Sequence, residues 1–302
     1  MCKRLGKENE SIMEVKKITG KVSAPRAILG IILAIAVLII AQNLALNLCE
    51  IPLILGVPVP VCNILAGILY VVFTYIGVKI LCGKFLKISM AEMRIPKFQI
   101  KAFWILAAIL MPTLVLFISV LSGGKWQSNT FDTETVLATI TSAAAFYGLA
   151  AGIVEEMIFR GIIMGCLEKR FGITVAVIVP SVLFGALHII GNSLDLISIA
   201  QLLVAGSIVG ILFSLVAIET NSIWNNAVIH SIWNMAIVGG VLHIGGNADS
   251  DAMYNFVLDH KSFLLSGGDF GMEASVISIA IYLLFCIAAI FRLNKAELSL
   301  IH

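Results

Sequence analysis

"AILGIILAIAVLIIAQNLALNL", residues 27–48, runs for 22 positions without one charged side chain. As a helix rising about 1.5 Å per residue it reaches roughly 33 Å, enough to cross a bilayer's hydrocarbon core of about 30 Å. It is too long for a signal-peptide core of about 7–15 residues, and no small-x-small cleavage site follows it. Residues 1–26 ahead of it are polar and basic. The stretch therefore reads as a retained first membrane span.

The rest of the chain has the same character. It is 60% hydrophobic and only 13% charged over 302 residues, with a mean hydropathy of +1.03. A soluble domain carries about 25% charged residues, so this deficit points to a membrane protein. Eight apolar segments are long enough to be candidate spans: about 27–48, 61–82, 102–122, 135–168, 173–190, 197–218, 223–244 and 273–292. The expected fold class is all-α, a polytopic membrane helix bundle of about eight transmembrane helices. The fourth segment is too long for one straight crossing. It must tilt, break near Gly148 or Gly152, or protrude from the lipid.

Net charge is only +2, and its distribution is more telling than its sum. With the N-terminus inside, Lys3, Arg4, Lys7, Lys16, Lys17, Lys21 and Arg26 precede the first span. Lys79, Lys84, Lys87, Arg94, Lys97 and Lys101 fall at the second inner connection, Lys169 and Arg170 at the third, and Arg292 and Lys295 at the end. Of the 20 basic residues 17 are then inside, and only Lys125 and Lys261 are outside. The outer loop 245–271 carries Asp249, Asp251, Asp259 and Asp269. The expected organisation is a cytoplasmic basic segment 1–26, a single transmembrane domain 27–292 and a cytoplasmic tail 293–302. The expected location is a bacterial plasma membrane, with both termini cytoplasmic.

The six cysteines form no C-x-x-C pair, which disfavours a zinc ribbon or a redox motif. Cys49 and Cys62 are expected to be free thiols. "GIIMG" (161–165) and "GSIVG" (206–210) read as sites of close helix packing within the chain.

Ionisable groups in lipid are expensive and usually face a cavity or a partner. Those within the spans are Glu155, Glu156 and Arg160 on the fourth, His188 on the fifth and His230 on the seventh, with Asn234 beside it. Glu156 and Arg160 are four apart and can pair on one helix face, whereas Glu155 is rotated by about 100° and stays uncommitted. His230 and Asn234 have the same spacing. Counted from the inner flank of each span, Glu155, His188 and Asn234 lie at about 21–22 Å and His230 at about 16 Å. Three spans thus carry polar groups at similar depth. A glutamate in such a pocket is suited to take a proton from water. A histidine can orient that water, and a histidine with an asparagine can donate to a developing oxyanion. Amide hydrolysis fits these parts. So does a metal, since glutamate and histidine are acceptable zinc ligands.

In order, "EEMIFR" (155–160), "FGALH" (184–188) and "HSIWN" (230–234) resemble the E-E-x-x-x-R, F-x-x-x-H and H-x-x-x-N/D motifs of the CPBP intramembrane proteases. This is the CAAX protease, Abi and bacteriocin-processing family, which includes the type II CAAX prenyl endopeptidases. The resemblance covers about 135–244 as its motif-bearing core. It implies an endopeptidase in which Glu155 activates water, Glu156 and Arg160 brace it, His188 assists, and His230 with Asn234 holds the oxyanion. The implied partners are the lipid bilayer and a peptide substrate that is prenylated, a leader peptide or a bacteriocin precursor, with no nucleic acid. The family is often labelled metalloprotease, and a metal-free glutamate mechanism is also proposed for its eukaryotic members. No cofactor is required in the preferred reading; zinc, if present, would take Glu155, His188 and His230.

Other intramembrane chemistries lack their signatures. There is no H-E-x-x-H and no G-x-S-G, and "SGGD" (266–269) is a near miss for G-x-G-D that falls in the outer loop. The alternative to an enzyme is a non-catalytic immunity or scaffold protein, or a transporter using the buried charges as a binding site. Transporters usually show related halves, which this chain does not.

Overall fold

The computed structural model describes residues 22–301, with side chains through 295. The basic residues Lys3 through Lys21, and the end of the tail beyond 295, lie outside the described side chains. Among the described residues six helices are long and apolar enough to cross a membrane. They are α1 (Ala24–Ile54), α2 (Val59–Leu86), α3 (Ala102–Leu121), α4 (Thr133–Phe171), α6 (Leu196–Thr220) and α9, whose span is Val276–Lys295 and which follows the single-turn α8 (Phe263–Ser266). The chain is an all-α polytopic bundle and an integral membrane protein.

Helix boundaries follow local chemistry. Pro25 opens α1, where a missing N–H costs nothing. Asp132 and Asp195 cap α4 and α6, accepting from Thr135 N (2.8 Å) and Ser198 N (2.6 Å). Asn221, in the left-handed conformation at φ 50°, ends α6.

The structure departs from eight full crossings at the fifth and seventh segments. The fifth, expected at 173–190, forms α5 (Ile173–Leu187), only 15 residues long. The seventh, expected at 223–244, forms α7 (Trp224–Trp233), continued as a π turn over Asn234–Val238. At about 1.5 Å per residue such helices span roughly 22 Å, short of the hydrocarbon core. Apolar composition extends past both helices, but the chain turns at 188–191 and bends at 239–241, so the helix does not go on.

Part of the remaining length goes into a feature with no transmembrane pattern. A three-stranded sheet forms from β1 (Gly124–Ser128), β2 (Leu242–Gly245) and β3 (Tyr254–Leu258), in the order β1-β3-β2. β3 is antiparallel to β1 and parallel to β2. The expected end of the seventh span, 242–244, is thus strand.

The 39-residue α4 does not break at Gly148 or Gly152. It widens instead into two π stretches, Ser142–Ala150 and Met157–Ile163, on either side of Ala151–Glu156. Such stretches re-aim side chains within a continuous helix and are frequent at functional sites.

The basic clusters meet at one end of the bundle. Arg94 Nη2 lies 2.6 Å from Glu168, while Lys101 Nζ (2.9 Å) and Arg292 Nη2 (3.1 Å) converge on Glu219 Oε1. The Trp104 indole donates to the other Glu219 oxygen at 2.9 Å. The Glu219 contacts tie α3, α6 and α9 together, and Arg94 ties the connection before α3 to α4. Cys49 and Cys62 are free and buried. "GSIVG" is a packing site: a Cβ on Gly206 would lie 2.6 Å from Gly185 Cα, so α5 and α6 touch backbone to backbone.

Candidate active site

Glu155 and Glu156 are neighbours in sequence and opposites in environment. A helix turns about 100° per residue, so the two carboxylates leave α4 in different directions. Glu156 is wholly buried, and its Oε1 accepts from Arg160 Nη1 at 2.9 Å. The Glu155 side chain keeps 21% of its exposure and lines a cavity of about 230 Å³. Its Oε2 has no hydrogen-bond partner among the described residues. The i, i+4 spacing is thus realised in space: one carboxylate is neutralised and anchored, and the other is left free.

Arg160 is held from several sides. Its guanidinium sits 4.7 Å from the Phe184 ring centre and 4.9 Å from that of Phe213, and Nη2 reaches the Gly210 carbonyl at 3.4 Å. A buried charge needs such partners, and two aromatic faces add cation–π attraction to the ion pair.

His230 joins the two glutamates. Nδ1 lies 3.1 Å from Glu156 Oε1, and Nε2 lies 3.8 Å from Glu155 Oε2. With Glu156 accepting at Nδ1, the ring turns Nε2 toward Glu155. The Phe213 ring stacks on the imidazole at 5.2 Å. The approach of α7 to α4 depends on Gly152, where a Cβ would lie 2.5 Å from Ser231 Oγ and 2.8 Å from Ser231 N.

His188 sits at the C-terminus of α5, where its Nδ1 donates to the Phe184 carbonyl at 2.7 Å. The carbonyl can only accept, so Nδ1 carries the proton and Nε2 is the other ring position. Asn234 Nδ2 donates to the Tyr147 carbonyl at 2.8 Å, which ties α7 to the first π stretch of α4 and leaves a second N–H.

All of the motif residues that were expected to share a site do meet. Glu155, His188, His230 and Asn234 line the one cavity, and Glu156 and Arg160 stand behind it. Leu202, Ala205, Gly206 and Val209 of α6 give it an apolar wall. Sequence reading missed the side supplied by other segments. Tyr147 and Trp233 line the cavity, as do Phe270 and Glu273 from the segment after the sheet and Tyr282 of α9. Trp233 also packs in the bundle: its indole lies 5.1 Å from the Tyr282 ring. Phe270 and Glu273 belong to no motif, and their distance in sequence hid them. A glutamate next to an apolar span was the one available signal.

The donor set does not fit a zinc centre. Among the described residues no three His, Cys, Asp or Glu side chains are grouped so that they could hold a metal ion. Glu155, His188 and His230, the residues expected to take zinc, are not grouped in this way.

Residues 134–236 match the family model described as type II CAAX prenyl endopeptidase Rce1-like. No curated protein and no solved structure matches the chain. The family match covers all three motifs and bears out the resemblance to the CPBP proteases over this core. It supports a hydrolase of the CAAX-type intramembrane protease kind, acting in a membrane environment.

Proposed function

We propose that the chain is an intramembrane endopeptidase that hydrolyses a peptide bond of a membrane-associated substrate, with Glu155 as the base that activates water. The observation that carries this reading is the division between the paired carboxylates: Glu155 alone opens on the cavity, with an unpartnered oxygen and His230 Nε2 3.8 Å away. Glu155 takes a proton from water as the oxygen attacks the substrate carbonyl carbon. His188 orients that water. Asn234, through its second N–H, and His230, as an imidazolium with Nδ1–H on Glu156 and Nε2–H facing the cavity, stabilise the oxyanion of the tetrahedral intermediate. The C–N bond then breaks, and Glu155 returns the proton to the leaving nitrogen. One water is consumed, and a carboxylic acid and an amine are released.

Glu156 and Arg160 act from behind by fixing His230 and the helix that presents Glu155. No metal has a role in this scheme. The apolar α6 wall suits a lipidated or hydrophobic peptide, and we place both termini in the cytoplasm on the strength of the basic clusters.

The test uses purified protein in lipid discs and a panel of prenylated and unmodified peptides. Release of new amino termini, detected by mass spectrometry, is expected from the native chain and not from Glu155→Gln. Equal release by the two proteins would overturn the reading. Activity that survives exhaustive chelation, with elemental analysis finding no stoichiometric metal, is expected; loss restored by zinc would replace this mechanism.

A further inference from the structure

The cavity has a second carboxylate that the motifs do not contain. Glu273 lies in the tight turn Met272–Ala274 just before α9, and its side chain lines the same space as Glu155, His188 and His230. The turn is pinned. The Tyr282 hydroxyl donates to the Glu273 carbonyl at 3.2 Å, and Ser278 Oγ donates to the Met272 carbonyl at 2.7 Å. Phe270, three residues earlier, presents its ring edge to His188 at 6.2 Å. The segment thus forms a wall held against the site.

The carboxylates of Glu155 and Glu273 line this cavity beside the imidazoles of His188 and His230, and no lysine or arginine does so among the described residues. Arg160, the nearest guanidinium, is covered by Phe184 and Phe213 and bound to Glu156. Beside the Glu273 wall stand two more carboxylates: Asp269 accepts from Asp195 N at 3.2 Å, and Asp195 caps α6. Clefts lined by one sign of charge concentrate ligands of the opposite sign by roughly 10- to 1,000-fold. The Glu273 carboxylate is held by a side-chain hydrogen bond from Trp233, and ionisable groups placed among apolar walls usually face a cavity or a partner.

Building on the hydrolytic reading above, we propose that Glu273 is a specificity-determining residue that selects substrates carrying a cationic group, a lysine or arginine side chain or a free amine, close to the scissile bond. The ammonium or guanidinium fills the charge deficit at the Glu273 end while the carbonyl lies at Glu155. Substrates that would place a free carboxylate at the same end are disfavoured.

The experiment compares quenched fluorogenic peptides that differ only by Lys, Gln or Glu at each of the positions flanking the bond. They are cleaved by the full chain in lipid discs, by Glu273→Gln and by Glu273→Lys. The native chain is expected to prefer the best Lys peptide over its Glu counterpart by about tenfold or more, chiefly in KM. Glu273→Gln should bring this ratio to about one, and Glu273→Lys should invert it, with Gln-peptide cleavage retained. An unchanged Lys:Glu ratio in both variants overturns the proposal, as does equal loss of all three peptides in Glu273→Gln. If the native chain cleaves none of them, it is the hydrolytic reading that fails. Selection is then read from anisotropy of the labelled peptides: stronger binding of the Lys peptide that Glu273→Gln removes supports the Glu273 assignment, and equal binding of Lys and Glu peptides by the native chain refutes it.

Discussion

Glu156 Oε1 is shared by two side chains: Arg160 Nη1 stands 2.9 Å from it and His230 Nδ1 3.1 Å. One carboxylate oxygen thus links an arginine on its own helix to a histidine on another. In the proposed mechanism, the residue that does no chemistry holds the residues that do. Its neighbour Glu155 is released by the same arrangement to face the cavity.

Glu155→Gln keeps shape and volume and removes the proton acceptor. A positioned general base contributes about 10²- to 10⁴-fold, so kcat is expected to fall by that amount or more. The thermal midpoint should stay near that of the native chain, because among the described residues Glu155 makes no hydrogen bond or ion pair shorter than its 3.8 Å approach to His230. Product release and thermal unfolding of the same preparation check both statements.

Glu156→Ala leaves Arg160 charged, buried and without its carboxylate. Breaking one side of a buried ion pair costs about 3–5 kcal/mol. The thermal midpoint should drop sharply, and activity should be lost with it. Replacing both partners, Glu156→Leu with Arg160→Met, should recover much of the stability and none of the activity, since His230 loses its Nδ1 partner. A double variant that cleaves normally would show that the brace is dispensable.

Asn234→Ala removes a donor from the oxyanion site and a tie to the Tyr147 carbonyl. Loss of one oxyanion donor costs about 10²- to 10³-fold in kcat. KM should change much less, because the oxyanion exists only beyond the ground state. Steady-state kinetics separate the two. A pure KM effect would assign Asn234 to substrate binding instead.

Gly152→Ala places a methyl group 2.8 Å from Ser231 N, where only backbone can yield. Overpacking of this kind costs about 1–3 kcal/mol. It pushes α7 from α4 and widens the gap between Glu155 and His230, so activity should fall by more than stability does. Ser231→Gly in the same chain should recover only part of it, since the Ser231 backbone remains in contact.

Glu219 gathers Lys101, Arg292 and the Trp104 indole at the far end of the bundle. Glu219→Gln should lower thermal stability by weakening this junction of three helices while leaving KM unchanged. Unfolding midpoints and kinetics on one preparation test the separation.

The membrane character, the bundle class and the motif residues were all legible in the sequence. Apolar composition has only one outlet at this length, and ionisable groups are so costly in lipid that their positions mark a site. The i, i+4 spacing alone separated Glu156, paired with Arg160, from Glu155, because helix geometry is local. Three things came from tertiary structure. The helical runs of α5 and α7 end at a turn over 188–191 and a bend over 239–241, which hydropathy does not register. The π stretches of α4 and the contact of Glu156 with His230 depend on how helices pack. Phe270, Glu273 and Tyr282 reach the cavity through contacts across the bundle, and long-range proximity leaves no periodic trace in the chain.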